Sequence, residues 1–397
     1  MITKLGRRIL WETDKRLLAK FIFNFGWKGM RAVSRFRKRV RQGKYFPAFL
    51  FLSVTNKCNL NCQGCWMTAA KSVHEMDLET MESIISQGKQ QGTYFFGILG
   101  GEPLMFHGLL DLLENHPDCY FLLFTNGTLI TDEIAAKMHR LGNVTPLVSI
   151  EGSEEVSDLR RGGSQVYSRT MRGLRLCRDF GLITGVATSI CKSNINDLAS
   201  ETFILELLEH KVHYLWYYIY RPVGPNPSPE LALSREEVLE LRRFIVDIRK
   251  KVPLLVVDSY WDHRGRAICP AAVGLANHIN PNGDIEPCPP IQFARDNVGE
   301  GKSLYDIFNN SQFLERFRDL VGQTTRGCIL MEQPTLLEKI MREEGARDTS
   351  GRGTGFSELG AMTSCSSHHL PGKEIPETHW FYRFAKKHWF FGFGAYG

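Results

Sequence analysis

The run Cys58-Asn-Leu-Asn-Cys62-Gln-Gly-Cys65-Trp66 places three cysteines within eight residues, with gaps of three and then two. A mostly apolar run, residues 49–54, comes just before and reads as a buried strand. A tight loop after a strand can aim three thiolates at one point. Three thiolates suit a four-iron cluster and leave one iron open, whereas an electron-transfer cluster closes every iron with four cysteines. Competing readings are buried small hydrophobes and a zinc knuckle. The density of the triplet speaks against the first. Structural zinc sites pair a C-x2-C with a second pair or with histidines, which this spacing fits poorly. Disulfides require an exporting context, and the chain shows no apolar h-region followed by a small-residue cleavage site.

Further polar groups follow later apolar runs. Gly100-Gly101-Glu102-Pro103 combines two residues that permit close backbone approach with a carboxylate that can receive an ammonium. Thr125-Asn126-Gly127-Thr128 carries a turn signal. Ser149 and Glu151 flank Ile150 and face one side of an extended chain. Arg160 and Arg161 follow, and read plainly as exposed charges at a helix start. Thr188 and Ser189, then Arg221 and Pro222, close two later apolar runs.

A second cysteine set comprises Cys269, Cys288, Cys328 and Cys365. Asn282-Gly283 supplies a hairpin turn that brings the first two thiolates together. Four thiolates close one [4Fe–4S] cluster; without Cys365 an iron stays open. Cys119, Cys177 and Cys191 read as structural, and His368 and His369 as a surface loop rather than metal ligands.

The triplet resembles the C-x3-C-x2-C signature of the radical S-adenosylmethionine (radical SAM) enzymes, and the later motifs follow in the order of that family. Cys269-x13-Gly283-x4-Cys288 resembles the opening of the SPASM and twitch auxiliary-cluster domains. The cysteine count fits the one-cluster twitch version. This resemblance implies a [4Fe–4S] cluster on Cys58, Cys62 and Cys65 that binds SAM through its open iron. Gly100, Gly101 and Glu102 would hold the amino group of SAM. Ser149 and Glu151 would take its carboxylate and ribose hydroxyls, with Asn126, Arg160 and Ser189 at neighbouring strand ends. An auxiliary [4Fe–4S] cluster would use Cys269, Cys288, Cys328 and Cys365. The implied reaction is reductive cleavage of SAM to a 5′-deoxyadenosyl radical. That radical abstracts hydrogen from an unidentified substrate: a peptide, a lipid or isoprenoid, or a cofactor precursor. A flavodoxin or ferredoxin would supply the electron. One departure stands out: the residue before the third cysteine is often aromatic, and here it is Gly64, followed by Trp66 beyond the cysteine. The alternative is a non-catalytic iron–sulfur electron-transfer or zinc-binding protein, which has no need of the Gly100–Glu102 and Ser149–Glu151 motifs.

These residues must be positioned by regular elements. Apolar runs at 49–54, 94–99, 119–124, 144–150, 183–190 and 214–220 predict six strands. Helical spacing predicts helices at 78–91, 108–116, 132–140, 167–179 and 197–210. Alternation of this kind implies an α/β fold, a partial (β/α)6 TIM-like barrel with its reactive centre at the C-terminal strand ends. A small C-terminal iron–sulfur (twitch-like) domain would follow. Ser234 and Glu237 form a capping box for a helix reaching about residue 250. The expected division is 1–45, a basic helical segment; 46–225, the radical SAM core; 226–370, the auxiliary domain; and 371–397, an aromatic and basic tail. Within it, 280–288 reads as a hairpin, 304–308 and 336–343 as short helices, and the Gly-, Ser- and Thr-rich run 345–363 as a mobile loop.

Apolar residues at 43% and charged residues at 23% are ordinary for a globular chain of 397 residues. The net charge of +6 is uneven. Residues 1–45 hold fourteen Lys or Arg against Glu12 and Asp14, so the remainder is acidic. With Trp11, Phe21, Phe23 and Trp27 interleaved, the segment reads either as a cap over one barrel end or as a membrane-surface helix. No nucleic-acid motif accompanies the charge. Free thiols and oxygen-sensitive clusters suit a cytoplasmic setting, peripheral to the inner face of a membrane if the segment binds lipid.

Overall fold

The computed structural model describes residues 2–67 and 72–389. Its centre is a nine-stranded sheet of order β7-β6-β5-β4-β3-β2-β1-β8-β9. The strands are β1 (Phe49–Ser53), β2 (Phe95–Leu99), β3 (Tyr120–Thr125), β4 (Val144–Ser149), β5 (Gly185–Ile190), β6 (Tyr214–Ile219), β7 (Leu255–Val257), β8 (Ala276–Ile279) and β9 (Ile285–Glu286). All pairings from β7 through β1 to β8 are parallel; only β9 turns back. Six of these strands match the apolar runs. The three-residue β7 escaped notice because it is too short to show a period.

Between the strands run α4 to α11, after three N-terminal helices. These are α1 (Ile2–Glu12), α2 (Lys15–Lys20), α3 (Lys28–Val40), α4 (Leu78–Gln91), α5 (Leu109–Glu114), α6 (Asp132–Leu141), α7 (Glu154–Arg161), α8 (Val166–Asp179), α9 (Ile195–Leu198), α10 (Glu201–Glu209) and α11 (Arg235–Lys251). The capping box is formed: Ser234 accepts from the Glu237 amide, and Glu237 accepts from the Ser234 amide. The fold is mixed α/β with a parallel sheet curled into a partial barrel. Leu50, Leu52, Phe96 and Ile98 face the helices, while Phe49, Phe95, Tyr120 and Leu122 face inward.

Parallel strands make every returning helix end at the same pole, where unpaired carbonyls accumulate. The N-terminal segment lies across that pole. Lys20 Nζ donates to Leu141 O at the end of α6 (2.6 Å), and Arg39 Nη1 to Gln91 O at the end of α4 (3.0 Å). Arg16 Nη1 reaches Arg140 O (2.7 Å), Lys28 Nζ Asp118 O (2.6 Å), and Arg8 Nη1 Pro253 O (2.7 Å). A widened π-helical turn, Phe21–Trp27, directs Phe21 and Phe25 against Tyr120 and Phe95. Much of the positive charge of this segment thus neutralises the carbonyl pole of the barrel.

The C-terminal region continues the sheet instead of standing apart from it: β7 extends β6, and β8 lies beside β1. The expected boundary near 225 therefore falls between two paired strands. Ser53 Oγ lies 2.7 Å from His278 Nε2, and His278 Nδ1 lies 2.6 Å from Glu286 Oε2, so a buried polar chain stitches β1 to β8 and β9. Helices α12 (Leu304–Asn310), α13 (Gln312–Thr324), α14 (Ile329–Glu332), α15 (Pro334–Glu343), α16 (Gly355–Gly360) and α17 (Trp380–His388) complete the chain. The run 345–363 corrects an expectation. It carries a short strand at Arg347–Asp348 paired with Phe293–Ala294, then α16, and its Ser350 and Arg352 are buried. Composition suggested a loop, but long-range hydrogen bonds order it. The aromatic tail reaches past residue 389, outside the described residues.

The tail is anchored by five buried charges. Arg249 pairs with Asp258 and Glu377, Arg242 with the same two, and Lys386 Nζ lies 2.8 Å from Asp258. Despite burial, the neighbouring cations Arg249, Lys386 and Arg242 hold Glu377 down to about 2 and Asp258 lower still. Carboxylates held below their free values add stability that is complete above about pH 5 and is lost as the pH falls toward about 2. Glu377→Gln leaves three cations facing one carboxylate and is expected to destabilise the fold by roughly 3–5 kcal/mol. Lys386→Met leaves two facing two and is expected to cost less. Thermal unfolding at pH 7 checks the order, and the gap between wild type and Glu377→Gln should narrow below pH 4.

Candidate active site

The cysteine loop leaves the end of β1 and is braced by its neighbours. Gly101 N donates to Thr55 O (2.7 Å) and Glu102 N to Lys57 O (2.8 Å), immediately before Cys58. A Cβ on Gly101 would lie 2.2 Å from Lys57 O, so only glycine permits this approach. Glu102 is fully buried and accepts from Thr125 Oγ1 (2.7 Å), Asn126 N (2.7 Å) and Leu104 N (3.2 Å). Burial pushes its carboxyl up, and those bonds oppose the shift. Asn126 Nδ2 donates to Asn59 Oδ1 (2.8 Å), and Asn59 Nδ2 to Thr128 Oγ1 (2.8 Å). The ends of β1, β2 and β3 are therefore laced around Cys58, and Gly100–Glu102 acts here as a brace.

Gly64 has its own explanation. It adopts φ +67°, and a Cβ there would lie 2.3 Å from Tyr220 Oη. Tyr220, at the end of β6, occupies the space beside the third cysteine. Its hydroxyl accepts from Ser228 N (3.2 Å), and its ring lies 5.3 Å from the Arg160 guanidinium.

Arg160 and Arg161 are not exposed charges at a helix start. They end α7 and face inward, the α7 helix itself having escaped the sequence reading. Arg161 Nη2 pairs with Glu151 Oε1 (2.5 Å), and its Nη1 donates to Cys62 Sγ (3.8 Å). Arg160 Nε lies 3.6 Å from Glu151 Oε2, while its Nη1 donates to Cys191 Sγ (3.1 Å). Ser189 N also donates to Glu151 (3.2 Å). One carboxylate thus orients two guanidinium groups, one of them against the cysteine triplet. Burial raises the Cys62 thiol and Arg161 opposes it.

The second cysteine set lies across the barrel mouth. Cys269, Cys288 and Cys328 line the same cavity. Cys365 neighbours Cys328, with its amide donating to Met331 O (2.8 Å). Arg221, two residues beyond β6, donates through Nε to Cys328 Sγ (3.4 Å) and lies 5.7 Å from the Tyr260 ring. His368 is a further correction: it is buried, not on a surface loop, with Nε2 3.1 Å from Ile268 O, and burial pulls it down to about 3. His369 lies beside Glu332 and Thr325. Arg352 Nη1 donates to Trp66 O (3.2 Å) while Glu358 holds it from behind, so the 345–363 run clasps the loop just beyond Cys65.

Both sets open onto one cavity of about 390 Å³. Cys62 and Cys65 line it, as do Cys269, Cys288 and Cys328, together with Ser149, Glu151, Thr188, Ser189 and Arg221. Gly100, Gly101, Glu102, Asn126, Cys58 and Cys365 do not line it; the first four, and Cys58, belong to the braced loop region around it. Two observations bear on the implied groups. Thr188 Oγ1 is buried at the cavity wall with no hydrogen-bond partner among the described residues, as a contact for a polar ligand would be. No three His, Cys, Asp or Glu side chains among the described residues converge tightly enough for one metal ion. Cysteines of a four-iron cluster bind separate irons and stand farther apart than ligands of a single ion. Two grouped thiol sets facing a common cavity fit that donor chemistry.

Comparison with known proteins agrees. The profile of the Radical SAM superfamily matches residues 52–200. The AdoMet-dependent heme synthase of Methanosarcina barkeri is 30% identical over 301 residues, covering 69% of this chain and 85% of that protein. The chain belongs to the radical SAM superfamily. The Fe-coproporphyrin III synthase of the same organism is 30% identical over 222 residues, covering 53% of this chain and 55% of that relative, so the match spans about half its length. Streptococcus suis SuiB, solved with its precursor peptide SuiA, shares the fold at a TM-score of 0.60 and 18% identity, over 72% of this chain and 70% of that one. Radical SAM proteins use a [4Fe–4S] cluster and SAM, and SPASM- and twitch-type relatives carry auxiliary clusters.

Tyr220, Arg352 and Asn59 were not singled out from sequence. Each acts through a partner distant in the chain, and nothing local marks it. The bracing is open to test. Gly101→Ala is expected to displace residues 55–57 and lower iron incorporation after reconstitution to about half that of wild type, one four-iron site of two. Iron content and the visible absorption of the cluster check this, with far-UV circular dichroism reporting that the fold persists.

Proposed function

We propose that this chain cleaves SAM reductively and removes hydrogen from an unactivated C–H bond of a small, largely apolar substrate. The observation that carries the reading is one cavity lined both by Cys62 and Cys65 and by Cys269, Cys288 and Cys328. Cys58, Cys62 and Cys65 would hold the SAM-binding [4Fe–4S] cluster, and Cys269, Cys288, Cys328 and Cys365 an auxiliary one. When bound, the cluster and SAM would supply a 5′-deoxyadenosyl radical. The chain itself contributes position. Glu151 fixes Arg161 beside Cys62; Thr188, Ser189 and Ser149 offer polar contacts to SAM; Phe51, Phe124, Trp216 and Tyr218 form an apolar floor that orients substrate and excludes water. Functionally, 46–225 would supply the radical chemistry and 226–370 the auxiliary site, with a flavodoxin or ferredoxin as reductant. Among substrate classes, a cofactor precursor has the most support, since two relatives at 30% identity are named Fe-coproporphyrin III synthase and AdoMet-dependent heme synthase.

Anaerobic reconstitution with iron and sulfide should load about eight irons per chain. With dithionite and SAM, 5′-deoxyadenosine is expected, is lost in Cys58→Ala and is retained in Cys177→Ala. If no reducing condition yields 5′-deoxyadenosine, the radical reading fails.

We also propose that the barrel pole opposite the cavity rests on an anionic membrane surface. No described helix is long and apolar enough to cross a membrane. Yet Trp11 is 84% exposed and Trp380 66%, and Ile22, Phe23, Trp27 and Phe384 are exposed as well. Lys4, Arg7, Arg31 and Lys38 are exposed on the same helices. Because Leu17, Val33 and Phe36 are buried, deleting the segment would open the barrel. The test is therefore a triple variant, Trp11→Ser, Phe23→Ser and Trp27→Ser. Wild type should float with phosphatidylglycerol liposomes and the variant should not; equal flotation refutes the idea.

A further inference from the structure

The cavity holds three guanidinium groups, Arg160, Arg161 and Arg221, but a single carboxylate, Glu151. Glu151 is committed to the first two, at 3.6 Å and 2.5 Å. Arg221 forms no ion pair with a carboxylate among the described residues; its partners are the Cys328 sulfur and the Tyr260 ring. His368, also on the cavity wall, carries no negative charge that could balance it. The surrounding wall is apolar: Phe51, Phe124, Trp216, Ile329 and Leu330. Phe124, Trp216 and Tyr218 form a continuous aromatic surface, with Trp216 and Tyr218 stacked at 5.2 Å. The thiols of the second set would offset part of this charge through the Nε side, and a planar guanidinium beside them also takes a carboxylate or phosphate through two parallel bonds.

We propose that Arg221 anchors an anionic group of the substrate, whose apolar body lies on the Phe124–Trp216–Tyr218 surface between the two cysteine sets. The ligand class is thus a small aromatic or polycyclic anion. This rests on the reading of the cavity as a substrate site and narrows its occupant. Arg221 is placed for the role by geometry. It lies two residues beyond β6, so the strand end fixes its origin, and the Nε bond to Cys328 and the Tyr260 ring fix its plane.

The test uses the reconstituted holoenzyme, titrated anaerobically by calorimetry. One probe is 8-anilinonaphthalene-1-sulfonate, an aromatic anion. The other is N-phenyl-1-naphthylamine, the same ring system without the sulfonate. Wild type should bind the anion at least about 10-fold more tightly than the neutral probe. Arg221→Met should weaken the anion by about 10- to 100-fold, the range of a lost charge-assisted bond, and change the neutral probe by less than about 2-fold. Arg221→Lys, which keeps the charge without the fork, should fall between them. Equal weakening of both probes overturns the proposal, as does unchanged anion binding. A shifted cluster midpoint potential with unchanged anion affinity also overturns it and assigns Arg221 to the cluster. If Arg221→Met fails to load iron, Arg221→Lys decides: an anion affinity equal to wild type overturns the anchor. SAM cleavage by wild type is measured separately, so failure of the anchor and failure of the radical reading are distinguishable.

Discussion

Eight strands running in one direction require the helices between them to run back, and this polarity decides what each end of the barrel can do. At one pole the strands finish and release loops: the cysteine triplet, Gly100–Glu102, Asn126, Ser149–Glu151, Ser189 and Arg221 all leave strand ends there. At the other pole the helices finish and leave carbonyls without partners. The segment with fourteen basic residues is placed across that second pole, and Arg8, Arg16, Lys20, Lys28 and Arg39 donate to carbonyls there. The charge asymmetry along the chain is in large part a response to the dipoles of the fold. The residues left exposed, Trp11, Phe23 and Trp27 among them, are the part that this response does not use.

The same sheet joins what sequence divides. Because β8 pairs with β1, the hairpin that leads to Cys288 is held in register with the strand that leads to the first cysteine set. Hydrogen-bonded strands thus tie Cys288 to the triplet, while Cys328 caps α14 and Cys365 follows α16. Two clasps reinforce it. Ser53, His278 and Glu286 run through the buried join, and Arg352 reaches from the far side to the Trp66 carbonyl. A shift of either cysteine set would have to break these contacts, which is a physical reason for both to face one cavity.

Charge is distributed with equal economy. Glu151 bridges two guanidinium groups and offsets part of their mutual repulsion near Cys62, while Arg221 faces apolar walls and thiols. Next to the cavity wall, Asp258 and Glu377 hold Arg242, Arg249 and Lys386 in a fully buried network that ties α17 to α11 and β7. Such networks contribute more to a unique arrangement than to net stability, since removing the charges from water costs much of what pairing returns. Their effect here is to hold α17 against α11 and the end of β7.

From sequence alone the six core strands, most of the intervening helices, the capping box and the two cysteine groups were legible. Each is a local signal: an apolar period, a cap, a spacing of thiols. The family followed from the order of such signals. What sequence did not show depends on residues far apart in the chain. Gly64 looked like a defect in the pocket until Tyr220, 156 positions later, was seen to occupy its space. Arg160 and Arg161 read as surface charge because burial by a distant strand end leaves no local trace. The 345–363 run reads as a loop by composition, yet Gln292, Trp66 and Glu358 order its arginine. Sequence by itself determined which chemical groups the chain owns and which elements carry them. Only the tertiary structure decided which of those groups share a cavity and which charge there has no carboxylate partner among the described residues, because both depend on contacts that no local pattern encodes.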